Sequence, residues 1–224
     1  MKKILTLASA IMFSSSAFAL DISQFSLGLS GNYGLYGGNG KELNYNQGGT
    51  VDTTTKKDGA AFTEAYPSVF VEFAVNDNFS IGLDFADEIE SPQNVNSAED
   101  GLSANTKDIK AKATFTDLMT LYVMAKSDLG IYGKLGYTSM DIDVTSENAG
   151  TYADPGTNEG YQVALGYEYG APNGIAIRAE LAYHQFDDVS ANNGITSSVT
   201  SQRNEIFITE MEGATGRISL VKSF

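Results

Sequence analysis

The stretch YQVALGYEYGAPNGIAIRAELAYH, residues 161–184, decides the fold of this chain. Apolar residues occupy every second position from 161 to 169 and again from 175 to 183. A period of two places alternate side chains on opposite faces of a β-strand, and Pro172-Asn173-Gly174 supplies the residues of a tight hairpin turn. The stretch therefore predicts two antiparallel strands, each with one apolar and one polar face.

The same alternation recurs along the whole chain and gives eight predicted strands, at 25–33, 67–75, 79–86, 107–125, 131–138, 161–169, 175–184 and 217–224. Three short turns, 76–78, 127–130 and 172–174, alternate with four long polar stretches, 37–60, 87–106, 141–159 and 187–203. Short turns at one end and long loops at the other are typical of transmembrane barrels. We predict an all-β fold: one eight-stranded antiparallel up-and-down transmembrane β-barrel, with short periplasmic turns and four long extracellular loops.

The charged residues on the polar faces balance, with five acids and five bases. They are Glu64, Glu72, Asp84, Lys110, Lys112, Lys134, Glu168, Arg178, Glu180 and Arg217. A balanced set suits a closed interior, because an unpaired charge there would be costly. The opposite faces are apolar, and aromatic residues such as Tyr161 and Tyr169 bracket them, as interfacial girdles do. We therefore expect the apolar face to meet lipid and the polar residues to fill the narrow interior as an ion-pair network.

One residue disagrees with the alternation. Asp117 falls on the outward face if the period is unbroken from Phe115 to Leu121. A β-bulge adds a residue to one strand and changes the side to which the following side chains point. We predict a bulge between Phe115 and Leu118.

Residues 1–19 have the three parts of a secretory signal peptide: the basic start Met1-Lys2-Lys3, an apolar run from Ile4 to Phe13, and the cleavage pattern Ala17-Phe18-Ala19. The predicted mature protein is a single barrel domain over residues 20–224. Its 12 Lys and Arg against 28 Asp and Glu give a formal charge of −16, where the whole chain has −14. Such acidity argues against nucleic acid as a partner, and the absence of Cys excludes disulfides, iron–sulfur clusters and thiolate zinc sites.

The C-terminal run Ile218-Ser219-Leu220-Val221-Lys222-Ser223-Phe224 and the segment from Arg178 to Tyr183 resemble the eight-stranded outer-membrane barrels of Gram-negative bacteria. That superfamily includes the outer-membrane protein A and opacity-type domains. The resemblance spans residues 20–224 and implies location in the cell outer membrane. It also implies that Phe224 belongs to the signal read by the barrel-assembly machinery, although Lys222 stands where that signal usually has an aromatic residue. The superfamily holds anchors, adhesins, small-solute conduits and enzymes, so the resemblance implies little about activity.

Two groups of residues could carry chemistry. Carboxylates without a base occupy the stretches 87–106 and 141–159, and the candidate ligands for a divalent cation are Asp141, Asp143, Glu147, Asp154 and Glu159. Such loops could bridge to lipopolysaccharide phosphates through Ca²⁺ or Mg²⁺, or repel anions; solvated loop acidity is the simpler interpretation. His184 is the only histidine and precedes Asp187 and Asp188. Lipid A deacylases carry a His-x-Ser step, whereas here Gln185 and Phe186 follow His184.

These observations predict a non-enzymatic, monomeric outer-membrane protein with no cofactor, whose role is structural or lies in surface contacts with lipopolysaccharide or another partner. A narrow porin-like conduit that favours small cations is the alternative. A lipid- or peptide-hydrolysing enzyme built around His184 is a more remote one.

Overall fold

The computed structural model describes residues 22–45, 51–90, 94–98, 107–147, 155–170, 174–192 and 204–224. A single 3-10 turn, Ile22–Gln24, precedes ten strands. The strands are β1 Phe25–Tyr45, β2 Val51–Ala74, β3 Phe79–Glu90, β4 Asn94–Ala98, β5 Lys107–Lys126, β6 Ile131–Glu147, β7 Gly156–Gly170, β8 Ile175–Phe186, β9 Val189–Asn192 and β10 Asn204–Ser223. Among the described residues, no helix combines the length and the apolar character needed to cross a membrane.

Eight of these strands form a closed ring. They are paired antiparallel in the order β1, β2, β3, β5, β6, β7, β8, β10, and β10 closes the ring on β1. The two short strands lie outside it, with β4 on β5 and β9 on β10. The predicted eight-stranded up-and-down barrel is therefore confirmed.

The register of the ring sets the tilt of its strands. A line of paired residues runs once around the wall through Gly160, Thr138, Thr120, Asp84, Phe70, Gly28, Val221, Ala176 and Gly170. It returns to β7 ten residues from its start, and this offset fixes the tilt of the strands. An eight-stranded barrel has an interior just wide enough for side chains to fill.

Burial alternates along the strands as the sequence predicts. In β8 every second residue from Ile175 is exposed and the others are buried. Large apolar side chains dominate the outward face, for example Leu165 and Leu181, which are 65% and 73% exposed. An outward ring of tyrosines, here called the girdle, consists of Tyr33, Tyr137, Tyr161 and Tyr183, all exposed. It lies at the barrel end away from the short turns and marks the outer boundary of the lipid-facing band.

The predicted bulge is present. The register of β5 on β6 shifts between Thr116 and Met119, and Asp117 has a positive φ of 52°. Phe115 and Leu118 are both buried, although they lie three residues apart. A second bulge, which alternation did not reveal, lies in β10 at Glu210, where φ is 53° and the register with β1 shifts.

The long polar stretches differ from the prediction. β1 and β2 continue to Tyr45 and from Val51, so most of 37–60 is a paired ladder rather than a loop. The other three polar stretches also contain strand, including all of β4 and β9. The reason is that ladder hydrogen bonds join backbone groups and need no apolar alternation. Beyond the lipid boundary the outward face is in contact with water and need not be apolar. The alternation of apolar and polar residues that identifies a strand is therefore lost there.

Candidate functional site in the barrel interior

Two layers of side chains fill the interior. The layer nearer the short turns contains charged residues, and we call it the charged cluster. Its members are Glu72, Asp84, Lys126, Lys134, Glu168, Arg178, Glu180 and Arg217. Arg178 and Glu180, for example, are consecutive inward residues of β8, so the strand period places both side chains in the interior.

Arg178 on β8 is the centre of the charged cluster. Its two terminal nitrogens donate to the two oxygens of Glu72 at 2.6 and 2.7 Å, a bidentate pair across the barrel. Its Nε donates to Glu168 at 2.6 Å. The Tyr122 hydroxyl also donates to Glu72, at 2.7 Å. Charge-assisted bidentate pairs of this geometry are among the strongest hydrogen bonds in proteins.

Lys134 on β6 forms a second buried pair. Its Nζ lies 2.8 Å from Glu180, which also accepts a hydrogen bond from the Tyr132 hydroxyl at 3.0 Å. The same Nζ lies 4.4 Å from the ring centre of Tyr122 and 5.5 Å from that of Phe70. Aromatic faces attract a desolvated cation, so this ammonium is stabilised by the rings as well as by the carboxylate.

Arg217 on β10 joins the remaining acid to the polar groups above it. It pairs with Asp84, and its Nε donates to the Asn32 side chain at 2.6 Å. Asn32 in turn donates to Ser68 at 3.1 Å. Glu180 lies 3.8 Å from the Arg217 guanidinium, so the two halves of the cluster are contiguous.

The charged cluster is electrically neutral, with four acids and four bases. Seven of its members were named from the sequence. Lys126 was not, because it adjoins the Ser127–Gly130 turn; its inward parity with Tyr122 was the available signal. Lys126 donates to Glu168 at 2.6 Å and is the most exposed member, at 31%.

Three residues of the predicted network are not among the members of the charged cluster. Glu64 is half-buried on the inward face of β2, and no ion pair of the described side chains includes it. Lys110 and Lys112 lie in β5, but their side chains are outside the described part of the chain.

The second layer is apolar, and we call it the outer cluster. It lies toward the end opposite the short turns and comprises Tyr66, Ala86, Ile89, Phe115, Leu118, Met140, Ile142, Phe186, Val189 and Met211, all buried. Half-buried Tyr36, Phe62 and Ile208 pack against it. The sequence predicted a polar interior throughout, so the outer cluster corrects that prediction. It forms because past the girdle the outward face is wet, and the apolar residues turn inward, helped by the bulge at Asp117.

His184 lies between the two layers. Its Nε2 and the Thr215 hydroxyl form a hydrogen bond of 3.0 Å, and its ring stacks on Phe186 with 6.0 Å between centroids. Nδ1 is buried and has no partner among the described groups. Asp187 and Asp188, which follow it in sequence, are exposed, and Asp188 accepts the backbone N–H of Glu210 at 3.1 Å. The structure therefore brings a hydroxyl to His184, while these two carboxylates lie away from it.

The candidate cation ligands are dispersed. Asp141 is half-buried and accepts the Thr157 hydroxyl at 2.8 Å, while Asp143 and Glu159 are exposed. The Glu147 side chain and Asp154 lie outside the described residues. Within the described ranges no three acidic or histidine side chains are grouped closely enough to hold a metal ion.

The fold resembles those of known outer-membrane proteins. The crystal structure of the outer membrane protein OprG from Pseudomonas aeruginosa superposes with a TM-score of 0.53 at 10% identity, covering 91% of this chain and 100% of that one. Neisserial surface protein A gives a TM-score of 0.47 at 11% identity, with 90% and 97% covered. At these identities the likeness concerns the fold alone. No curated protein sequence matches the chain.

Residues 5–200 match the family model of the outer membrane protein beta-barrel domain. This range includes the charged cluster up to Glu180 and seven strands of the ring. The chain belongs to the family of outer membrane protein β-barrel domains and is a protein of the cell outer membrane.

Proposed function

We propose that this protein is a closed, non-enzymatic barrel with a structural and surface-contact role in the outer membrane. One observation supports this most: the charged cluster and the outer cluster follow one another along the interior. A permeating ion would have to separate the Arg178–Glu72 pair and then cross a layer of buried apolar side chains. Breaking a buried pair is costly, and an apolar constriction excludes water and ions by dewetting.

The exposed carboxylates above the girdle suggest which molecules this barrel contacts outside the membrane. Asp143, Glu159, Asp187 and Glu212 are exposed there, and the Tyr183 hydroxyl donates to Glu212 at 2.7 Å. Carboxylates at this height repel the phosphates of lipopolysaccharide unless Mg²⁺ or Ca²⁺ lies between them. We propose that the barrel acts as a monomer with lipopolysaccharide as a partner, and that it inserts through Phe224 and the barrel-assembly machinery after export by a cleaved signal at residues 1–19.

A narrow cation conduit is the second candidate. The observation that favours it is the partial exposure of Lys126 and Glu168, at 31% and 14%, which opens the charged cluster toward the short-turn end. Glu168 accepts hydrogen bonds from both Lys126 and Arg178, so it keeps one ion pair when the other is broken.

Conductance of the refolded protein in a planar bilayer distinguishes the two candidates. We expect no unitary steps from protein whose folding is verified by faster gel migration before heating than after. Stable cation-selective steps that shift in a Glu72→Gln, Glu168→Gln variant would overturn the closed barrel and support the conduit. Hydrolysis of a lipid ester or a peptide bond that is lost in a Thr215→Val variant would support the enzyme built around His184.

A further inference from the structure

The wall of the barrel is uneven at one seam. β2 and β3 pair only from Val69 to Ala74, opposite Ser80 to Phe85. β3 nevertheless stays paired with β5 up to Glu90, and β2 stays paired with β1 along its length. Beyond Val69 and Phe85, no ladder joins β2 to β3 in the part of the chain that the structure describes. The two strands can therefore separate there without breaking a ladder hydrogen bond between them.

Pro67 lies two residues beyond the last pair. It is exposed on the outward face of β2, and it has no N–H with which to extend a ladder. Within sheets, proline occurs on edge strands, at the first residue of a strand or at bulges, where its missing N–H leaves no ladder bond unmade. The sequence thus sets the point at which the seam begins.

The seam begins at the outer boundary of the lipid-facing band. Tyr33 of the girdle pairs with Ala65 of β2, which is two residues from Pro67. Above this height the wall faces water, and below it the wall faces acyl chains. The end of the ladder therefore coincides with the region where the outer leaflet of the membrane meets its head groups.

The interior behind the seam is apolar beyond Ser68. Ser68 and Ala86 are the first inward side chains beyond the ladder, and Ser68 already accepts a hydrogen bond from Asn32. Tyr66 and Ile89 follow, and with Ala86 they belong to the outer cluster. Glu72 and Asp84 of the charged cluster lie within the paired part, opposite Gly82 and Phe70. A separation of the strands above Val69 exposes apolar side chains and leaves the buried charges covered.

We propose that the β2–β3 seam is a lateral portal through which an acyl chain of an outer-leaflet lipid enters the wall and packs on Tyr66, Ala86 and Ile89. Lipid is the occupant because the lower end of the seam, at Val69 and Phe85, adjoins the lipid-facing surface of the barrel. An alkyl chain also needs no hydrogen-bond partner in an apolar layer. The portal does not depend on whether the interior conducts ions.

Photolabelling from within the bilayer tests the portal. The probe is phosphatidylcholine with a diazirine in one acyl chain, in dioleoylphosphatidylcholine vesicles that contain the folded protein, with labelled residues identified by mass spectrometry. The portal predicts labels on inward Tyr66 or Ile89 as well as on outward Leu121 and Val123. Labels confined to outward side chains would overturn it.

A disulfide across the seam supplies the control. Pro67 and Asp87 would face each other if the β2–β3 register continued, and the chain has no other cysteine, so a Pro67→Cys, Asp87→Cys variant gives one defined disulfide. Its oxidation is expected to abolish the inward labels, and its reduction to restore them, with outward labels unchanged. The matched variant, Leu83→Cys with Leu121→Cys across the fully paired β3–β5 seam, is expected to keep the inward labels in both states. Inward labels that persist in the oxidised seam variant would refute the portal.

Discussion

The ring of Tyr122 lies directly over Gly82 of the neighbouring strand, and its hydroxyl reaches Glu72. Phe70 lies over Gly28 and Tyr132 over Gly166 in the same way, and both glycines are the cross-strand partners of these rings. The missing side chains make room for rings that hold the charged cluster in place. The glycines of the inward face are therefore part of the interior packing.

The first prediction concerns Gly82. A Cβ at Gly82 would overlap the Tyr122 ring, so Gly82→Ala is expected to displace the ring and its hydrogen bond to Glu72. We expect a loss of about 1–3 kcal/mol in the free energy of unfolding, the usual cost of overpacking. Urea unfolding in lipid vesicles measures it. Gly31→Ala is the matched control, because a Cβ there meets nothing within 4 Å; equal losses in the two variants would contradict the packing argument.

The second prediction concerns Arg178. Arg178→Met leaves Glu72 buried without its bidentate partner, which is expected to cost about 3–5 kcal/mol of stability. Lys126→Met removes an ion pair at the partly exposed end and is expected to cost less than about 1 kcal/mol. Adding Glu72→Gln to Arg178→Met is expected to recover part of the loss, since the uncompensated charge is then gone. A double variant less stable than Arg178→Met would contradict this account.

The third prediction separates the two interior layers. Glu72→Gln with Arg178→Met disrupts the charged cluster but leaves the outer cluster intact, so we expect this variant to remain non-conducting in a planar bilayer. Adding Ile89→Ser and Phe115→Ser makes the outer layer polar and is expected to produce unitary steps, because a wetted constriction no longer excludes ions. Steps from the first variant alone would show that the outer cluster is not a barrier.

The fourth prediction concerns the bulge at Asp117. Its φ of 52° lies in the left-handed region, which glycine adopts freely and β-branched residues avoid. Asp117→Val is expected to be less stable than Asp117→Gly by about 1–2 kcal/mol, because both variants lose the carboxylate and only glycine adopts this φ freely. Unfolding midpoints of the two variants, measured in the same lipid, give this difference in stability. A valine variant as stable as the glycine variant would mean that the bulge can be absorbed elsewhere.

Local sequence pattern predicted the ring and much of its contents. Alternation identified all eight strands, and inward parity identified Arg178, Glu72 and Lys134 as interior residues. Parity does not say which acid meets which base: Arg178 and Glu72 are 106 residues apart, and only the register around the closed ring brings them together. The bulge at Asp117 was predictable because a carboxylate cannot face lipid, whereas Glu210 lies in a wet region and gave no such contradiction.

The outer cluster was missed for a related reason. Residues such as Phe115 and Met211 lie beside bulges, where the period of two breaks and the facing side of each residue becomes ambiguous. Polar extensions of strands, such as the start of β2, show no alternation of apolar and polar residues. Their pairing depends on the neighbouring strand, which local sequence pattern does not reveal.

The length of β2 affects how an antibody or a phage recognises the protein. The strand has 24 residues, and about 9–11 tilted residues suffice to cross the hydrocarbon. More than half of it therefore stands beyond the membrane as hydrogen-bonded sheet with β1. An antibody or phage that binds there would read a shape made by several strands, and boiling the protein would abolish its recognition.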